Sequence, residues 1–376
     1  MYKEIIFAVD SYIKNEDGYK TRIDFEINIL KDKYKIFMLI DESIMNGLSN
    51  PYHISYVPYK SSVSNKRATT KNRNAALQIF LRDHNNAIVY LEALEPAIKL
   101  YHTIKNINNI VVFDCHGATP YEYRMNHGKI AGMLGFCALK WYENKVLAHS
   151  NLLVTVTKEQ QKLLNYNCKS TILPMIPGDI FLNSYNNQKE NIRDSLKIDE
   201  RYTVFVYSGN TSKWQMCEDT IKLYKNIENI IDNAFLLVCT KDKEYFTNLV
   251  EKYDIKHFRI ITAKYNEMPN ILDGCNYGFC LRDNDVVNKV ASPTKVLEYM
   301  ARGVIPIISN YVGDFSHELK DNNLGIITDF NVTNLVKKIN ARDINVNEVK
   351  NYALRSTEVY KKEYIEALKN IENKNV

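Results

Sequence analysis

One predicted helix start could hold a phosphorylated ligand. Five residues define it: Ser292, Pro293, Thr294, Lys295 and Glu298. The first backbone N–H groups of a helix are unsatisfied and lie at its positive dipole end, so they suit a phosphate. Glu298 follows about one turn later, where a carboxylate can accept two hydrogen bonds from a vicinal diol such as ribose. We predict a nucleotide site here; the alternatives are a solvated carboxylate for Glu298 and a surface lysine for Lys295.

A second segment offers phosphate chemistry earlier in the chain. The strand pattern at residues 203–207 is followed by Ser208, Gly209 and Asn210, and then by Lys213. A pyrophosphate is held well by a cation beside a loop of free N–H groups. Arg282, at the end of a later strand pattern, is a second candidate cation. We therefore expect both segments to contact one diphosphate.

A histidine follows an apolar strand pattern in the N-terminal half. His116 stands in the sequence FDCHG at residues 113–117, and Glu122 and Arg124 follow on the same predicted loop. Since ligands of open α/β sheets bind at the carboxyl ends of strands, His116 is a candidate catalytic residue. Its alternative is a structural histidine with satisfied hydrogen bonds. Glu122 and Arg124 are candidates for contact with an acceptor substrate.

Positive charge is concentrated between residues 60 and 82, which contain six basic residues and no acidic one. They are Lys60, Lys66, Arg67, Lys71, Arg73 and Arg82. A basic residue near an anionic lipid surface contributes about 1 kcal/mol, so this stretch predicts an anionic membrane or a lipid-pyrophosphate acceptor as partner. The alternative is a solvated, mobile loop. Nucleic acid is not expected, because no aromatic interleaving or known module accompanies the charges.

Alternating strand and helix patterns must position these residues. Short apolar runs separated by segments of helical periodicity predict an α/β fold with parallel sheets covered on both faces. Two prolines in residues 172–177 and a polar stretch at 183–200 indicate a domain boundary. We predict an N-terminal domain at 1–178, a linker at 179–200 and a C-terminal domain at 201–376. The terminal helix, about 355–376, is a candidate to pack back on the N-terminal domain.

Composition narrows the class of protein. The chain has 376 residues, a length that suits two domains, and 45% of them are hydrophobic, as is ordinary for globular proteins. Its formal net charge of +5 is too small to indicate nucleic-acid binding by itself. GxGxxG and P-loop motifs are absent, which removes the usual sequence grounds for a dinucleotide-binding enzyme or a P-loop NTPase. Seven scattered cysteines predict reduced, mostly buried thiols, and the N-terminus reads as a strand rather than a signal peptide. We expect a cytoplasmic protein that the basic stretch would bring to the inner face of the membrane.

The helix-start segment resembles the donor-site signature of GT-B glycosyltransferases, in particular retaining family 4 (glycosyltransferases group 1). That signature, SPxKxxEYxAxG, is matched by Ser292, Pro293, Lys295, Glu298, Tyr299, Ala301 and Gly303. Residues 203–213 are similar to the family's phosphate-contacting loop, 266–272 to its segment beside the nucleobase, and 113–117 to the strand end with its active-site histidine. The resemblance implies two tandem Rossmann-like, doubly wound domains that face a cleft.

Two departures from the family pattern concern the donor sugar and the first loop. The family usually has a second glutamate eight positions before Glu298, where this chain has Val290. That glutamate usually helps to hold the donor sugar, so Arg282 or Asp283 would have to take over part of its role. The family's double glycine near the N-terminus corresponds here to residues 18–22, with Gly18 alone.

The resemblance implies a glycosyltransferase that moves a sugar from a nucleotide diphosphate donor, expected to be a UDP-sugar, to a glycan or lipid-linked acceptor in cell-surface polysaccharide synthesis. Glu298 would hold the ribose, and Lys213, Arg282 and Lys295 would stabilise the leaving diphosphate without a metal. His116 would lie near the reacting sugar, and anomeric configuration would be retained. No cofactor is expected beyond the nucleotide-sugar cosubstrate. The alternatives are a nucleotide-sugar epimerase of the same architecture and a catalytically silent glycan- or nucleotide-binding module.

Overall fold

The computed structural model describes residues 3–9, 18–45, 52–183 and 192–373. The chain divides into two compact units, Met1–Ile176 with Val359–Val376, and Pro177–Glu358. The segment 179–200, which the sequence predicts as a linker, falls within the second unit, and its residues 184–191 lie outside the described residues. The last helix starts in the second unit, and its residues from Val359 onward group with the first.

The first unit is built on one parallel sheet of seven strands in the order β3-β2-β1-β4-β5-β6-β7. The strands are β1 (Lys3–Ala8), β2 (Tyr34–Asp41), β3 (Ser55–Tyr59), β4 (Ile88–Glu92), β5 (Val111–Cys115), β6 (Leu152–Thr155) and β7 (Lys169–Ile172). The central strands β1, β4 and β5 are mostly buried and rich in Val, Ile, Leu and Phe, because helices cover both faces of such a sheet. The strand order reverses between β1 and β4, and a ligand crevice is expected at the carboxyl ends there.

Seven helices accompany this sheet among the described residues of the first unit. They are α1 (Gly18–Leu30), α2 (Glu42–Met45), α3 (Lys66–Asp83), α4 (Leu94–Ile104), α5 (Thr119–Asn126), α6 (Lys129–Leu147) and α7 (Lys158–Leu163). Helix α3 begins at Asn65, whose side chain accepts a hydrogen bond from the Ala68 N–H at 3.0 Å. Most of the basic stretch at 60–82 is therefore helical, which excludes the loop alternative for residues 66–82.

The second unit repeats the plan on six parallel strands in the order β10-β9-β8-β11-β12-β13. The strands are β8 (Thr203–Ser208), β9 (Ala234–Cys239), β10 (Phe258–Ile261), β11 (Tyr277–Cys280), β12 (Ile305–Ser309) and β13 (Ile326–Thr328). This is the strand order of Rossmann-type nucleotide-binding domains, and it reverses between β8 and β11. The predicted α/β class with doubly wound parallel sheets is confirmed for both units.

Ten helices belong to the described part of the second unit or start in it. They are α8 (Asp179–Leu182), α9 (Ile192–Ser195), α10 (Cys217–Glu228), α11 (Lys243–Lys252), α12 (Met268–Asp273), α13 (Val286–Lys289), α14 (Thr294–Ala301), α15 (Phe315–Asp321), α16 (Val332–Ala341) and α17 (Val346–Glu372). None of the described helices in either unit combines the length and apolar character that crossing a bilayer requires. All seven cysteines are free thiols, and five of them are buried.

Candidate functional site

A cavity of about 350 Å³ lies in the second unit at the carboxyl ends of β8 and β11, where the strand order reverses. It is lined by Ser208, Gly209, Gln215, Arg282, Pro293, Thr294, Lys295 and Glu298. Sequence reasoning singles out all of these residues except Gln215. Of the ten residues predicted to bind the donor, Asn210, Lys213 and Ser292 do not line the cavity.

Helix α14 opens on this cavity with its N-terminus. Pro293 precedes the helix with extended backbone (φ −68°, ψ 118°), and no side chain caps the first turn. The N–H groups at the start of α14 therefore face the cavity without a side-chain acceptor, as an anion site requires. Ser292, two residues before the helix, is buried, with 6% of its surface exposed.

Two cations converge on one amide oxygen at the cavity wall. Lys295 Nζ donates to Gln215 Oε1 and to the Ser208 carbonyl, each at 2.7 Å. Arg282 Nη1 donates to the same Gln215 Oε1 at 3.1 Å. A neutral acceptor between two cations orients both without neutralising either, so their charge remains available to a diphosphate.

Gly209 is required where the loop after β8 passes this lysine. Its φ is +151°, and a Cβ at this position would come within 3.0 Å of Lys295 Nζ. The next residue, Asn210, is exposed, and its carbonyl accepts a hydrogen bond from Tyr207 Oη at 2.8 Å. Lys213 is also exposed and begins the short 3-10 turn Lys213–Gln215, which directs Gln215 to the cavity instead.

Burial shifts the pKa values of Lys295 and Glu298, on the first turns of α14, in opposite directions. Burial raises the pKa of Glu298 to about 7, with Lys295 and a hydrogen bond from Tyr265 opposing the rise. Burial also lowers the pKa of Lys295 to about 8, and the nearby Arg282 lowers it further. Both groups therefore titrate near neutral pH. Tyr265, which sequence reasoning missed, immediately precedes the segment 266–272 that is predicted to flank a nucleobase.

The loop between β11 and α14 uses its carboxylates to hold its own shape. Asp283 accepts a hydrogen bond from the Asn288 side chain, and Asp285 caps α13 by accepting from the Val287 N–H at 2.8 Å. Val290, at the position of the family's first glutamate, is only 4% exposed. Both aspartates thus have structural partners, and position 290 is apolar core here.

His116 belongs to a buried charge cluster at the carboxyl ends of β4 and β5 in the first unit. Its Nε2 lies 2.9 Å from Glu92 Oε2 and 3.0 Å from Asp114 Oδ2. Arg22, from α1, lies 2.9 Å from Asp114 and 3.2 Å from Glu26. Except for His116, every member of this cluster is at most 1% exposed. Sequence reasoning found His116 but none of the four charged residues around it.

Burial and neighbouring charges act unequally on the three carboxyl groups of this cluster. Burial raises the pKa of Glu92 to about 8 and that of Glu26 well above its usual range. Burial opposes ionisation of Asp114 as well, but Arg22 and His116 outweigh it and hold its pKa well below the usual range. Glu92, Asp114 and His116 are also the one group in the described part of the chain whose ligand atoms, all within 4.8 Å, suit a metal ion. Arg22 supplies a cation to Asp114, whereas both Glu92 oxygens and His116 Nε2 are buried without a hydrogen bond from the described residues.

Of the five basic residues between 60 and 73 that are predicted to contact an acceptor or a membrane, four are exposed and one is buried. Lys60, Lys66, Arg67 and Lys71 are exposed. The prediction is wrong for Arg73, which is 1% exposed, donates a hydrogen bond to the Val9 carbonyl and stacks over an aromatic ring. Arg73 lies on the inner face of α3 and cannot reach a surface.

The other two predicted acceptor residues lie on α5. Glu122 is partly buried, and burial raises its pKa. Arg124 is exposed, and its guanidinium packs over the Phe136 ring at 5.1 Å.

Comparison with known proteins agrees with this geometry. Residues 188–342, most of the second unit, match the family model described as "Glycosyl transferases group 1". This match confirms the resemblance found in the sequence, and the matched segment includes every residue that lines the cavity. No curated protein has a significant sequence match to this chain.

Solved structures share the fold over nearly the whole chain. Sucrose-phosphate synthase from Thermosynechococcus elongatus superposes with a TM-score of 0.75 at 11% identity, covering 98% of this chain and 99% of that one. Anabaena HepE in complex with UDP gives 0.70 at 12% identity, covering 98% and 100%. The lipopolysaccharide outer core galactosyltransferase WaaB gives 0.67 at 12%, covering 98% and 99%. The fold is that of the GT-B glycosyltransferases.

Proposed function

We propose that this protein is a glycosyltransferase that uses a nucleotide diphosphate sugar, with UDP as the nucleotide. The observation that carries the proposal is the cavity at the start of α14, where uncapped N–H groups, two cations and Glu298 meet. The HepE structures in complex with UDP and with UDP-glucose support the choice of nucleotide by similarity of fold. Glu298 would accept hydrogen bonds from the ribose hydroxyls in its ionised form.

In this proposal the chemistry is stabilisation of a departing diphosphate. Arg282, Lys295 and the first N–H groups of α14 would hold the charge that builds up as the bond to the sugar breaks. Lys213 would add a contact from the rim of the site. We propose that His116 lies near the reacting sugar, that configuration is retained and that no metal takes part. A transfer assay run with and without a chelator tests the last point.

The acceptor in this proposal is a glycan or lipid-linked glycan of a cell-surface polysaccharide. The fold shared with a lipopolysaccharide galactosyltransferase supports this class of acceptor. The exposed residues Lys60, Lys66, Arg67 and Lys71 would meet an anionic membrane or a lipid pyrophosphate on the cytoplasmic side.

The decisive experiment is calorimetric titration of UDP into the wild type and Glu298→Ala. A carboxylate that accepts two hydrogen bonds from a diol contributes enough that its removal weakens UDP binding about tenfold or more. Glu244→Ala, which removes a carboxylate from exposed positions of α11, serves as the control and should bind UDP as the wild type does. Equal UDP affinity in Glu298→Ala and wild type would overturn the assignment of the site.

Product analysis distinguishes a glycosyltransferase from the two alternatives, an epimerase and a catalytically silent binding module. The protein is incubated with a panel of UDP-sugars, with and without a lipid-linked glycan acceptor. Transfer releases UDP and extends the acceptor. Conversion of the donor sugar without acceptor would identify an epimerase instead. UDP binding without any turnover would identify a silent binding module, the outcome that the apolar Val290 would then explain.

A further inference from the structure

Helix α6 presents an exposed apolar face that no other described element of the first unit covers. Ile130, Met133, Leu134 and Trp141 are 81%, 51%, 68% and 52% exposed, and Cys137 between them is exposed as well. At about 100° per residue, these five side chains fall within an arc of about 100° on the helix. We call them the α6 stripe. Single exposed apolar residues are ordinary, but a contiguous stripe of this kind marks a binding surface.

The opposite side of α6 is fixed to the protein, so the stripe cannot turn inward. A Cβ on Gly135 would come within 2.0 Å of the Tyr123 ring, and a Cβ on Gly132 within 3.0 Å of the Arg124 carbonyl. These glycines let α5 and α6 pack at close range. Further along the same side, Glu143 is 2% exposed and pairs with Lys140. The orientation of the stripe is therefore set by packing.

The surroundings of the stripe are cationic. Between Glu122 and Glu143 the chain has no acidic residue, and Glu143 itself is buried. Lys129 and Lys145 are exposed at the two ends of the helix, and Lys145 Nζ lies 5.5 Å from the Trp141 ring. A second copy of this chain would bring these charges against like charges. An anionic surface is complementary to them.

The chemistry of the stripe matches the interface of a bilayer. Tryptophan, with its polar N–H and large ring, favours that depth, and lysines beside it can extend to headgroups while their stems stay on apolar surface. Helix α4 contacts both α3 and α6, so the exposed basic residues of α3 belong to the same helical layer.

We propose that α6 is a membrane-docking helix whose stripe inserts into an anionic lipid bilayer at headgroup depth. The proposal goes beyond sugar transfer and does not depend on it, since lipid binding needs neither donor nor acceptor. It assigns membrane attachment to apolar side chains of α6, with the basic residues of α3 as electrostatic support. Electrostatic attraction alone would give membrane binding that high salt abolishes. Insertion of the apolar stripe adds a contribution to the binding free energy that salt does not screen.

The test uses the full-length protein and co-sedimentation with vesicles. Wild type should bind vesicles of phosphatidylcholine and phosphatidylglycerol and bind pure phosphatidylcholine much less. Ile130→Gln/Leu134→Gln should bind the anionic vesicles about tenfold more weakly, because two exposed apolar side chains lose their insertion energy. The matched control is Ile230→Gln/Leu354→Gln, which changes an exposed isoleucine and an exposed leucine of the second unit. The control should bind as the wild type does.

Tryptophan fluorescence locates the contact. The chain has two tryptophans, Trp141 and Trp214, so Trp214→Phe leaves the stripe residue as the only emitter. Its emission should shift to the blue on addition of anionic vesicles. Unchanged emission, or equal vesicle binding by the stripe variant and wild type, would overturn the proposal. So would a dimer in light scattering that the stripe variant abolishes, since a second copy would then cover the face. UDP titration of the same variant checks that the donor site is intact.

Discussion

Lys295 and Glu298 lie about one turn apart on α14, and burial acts on them in opposite directions. The lysine is protonated below its pKa of about 8, and the carboxylate is ionised above its pKa of about 7. Between these values both groups carry charge. A diphosphate needs the charged lysine, and a ribose diol needs the ionised carboxylate, so the two requirements are met together only in a narrow range of pH.

UDP affinity should therefore pass through a maximum between about pH 7 and pH 8. As pH falls through 7, Glu298 takes up a proton and loses its capacity to accept two hydrogen bonds. As pH rises through 8, Lys295 loses its proton and its attraction for the diphosphate. Calorimetric titration of UDP from pH 5.5 to 9.5 measures the curve, at values chosen to bracket both groups by about 1.5 units.

Two conservative variants test which residue causes the loss of UDP affinity at each end of the pH range. Lys295→Arg keeps a cation at all accessible pH values, so the alkaline limb should flatten. Glu298→Gln removes the ionisable group, so the acid limb should disappear and the maximum affinity should fall. A wild-type curve that is level from pH 6 to 9 would contradict the assignment of these two residues to the ligand.

At the scale of elements, the 3-10 turn Lys213–Gln215 decides which side chain enters the site. The sequence favours Lys213, because a cation after a small polar loop is a familiar diphosphate ligand. The turn leaves Lys213 exposed and directs Gln215 between Lys295 and Arg282. A hydrogen-bond acceptor shared by two cations fixes both, which a free side chain cannot do.

Gln215→Leu should consequently weaken UDP binding about tenfold, since each cation loses a hydrogen bond of the charged kind. Lys213→Met should weaken it less than about threefold, as expected for an exposed charge. The comparison of the two dissociation constants is the measurement. A larger loss in Lys213→Met than in Gln215→Leu would restore Lys213 as the main diphosphate ligand.

How far a feature follows from sequence depends on how local its cause is. The start of α14 is local: Pro293 and Thr294 set the helix boundary, and the periodicity places Glu298 one turn on. The contact between Arg22 and Asp114 joins residues 92 positions apart, so no pattern near either residue predicts it. Strands β3 and β7 have only five and four residues and lie at the edges of their sheet, and runs this short carry little periodicity from which to predict a strand. Arg73 did leave a signal, since it shares the inner face of α3 with Leu77 and Phe80 at helical spacing.

At the scale of the whole molecule, the two units differ in how their buried charged side chains are compensated. At the cavity of the second unit, Arg282 and Lys295 share a neutral acceptor, Gln215 Oε1, so both positive charges remain available to an anion. The first unit buries Arg22 with Glu26, Glu92 and Asp114, a network that holds α1 to the carboxyl ends of β4 and β5. Each unit has its own sheet and core, so a change in one network should act within its unit.

Arg22→Met tests this separation. Removing the guanidinium leaves the ionised Asp114 buried without its main cation, which should lower the free energy of unfolding by about 3–5 kcal/mol. UDP affinity should stay within about twofold of wild type, because the cavity is lined by the second unit alone. Urea unfolding and UDP titration give the two values. Lys20→Met, which breaks a partly exposed pair with Asp24 on the same helix, is the control and should cost less than about 1 kcal/mol. A tenfold loss of UDP affinity in folded Arg22→Met would mean that the nucleotide site depends on the first unit.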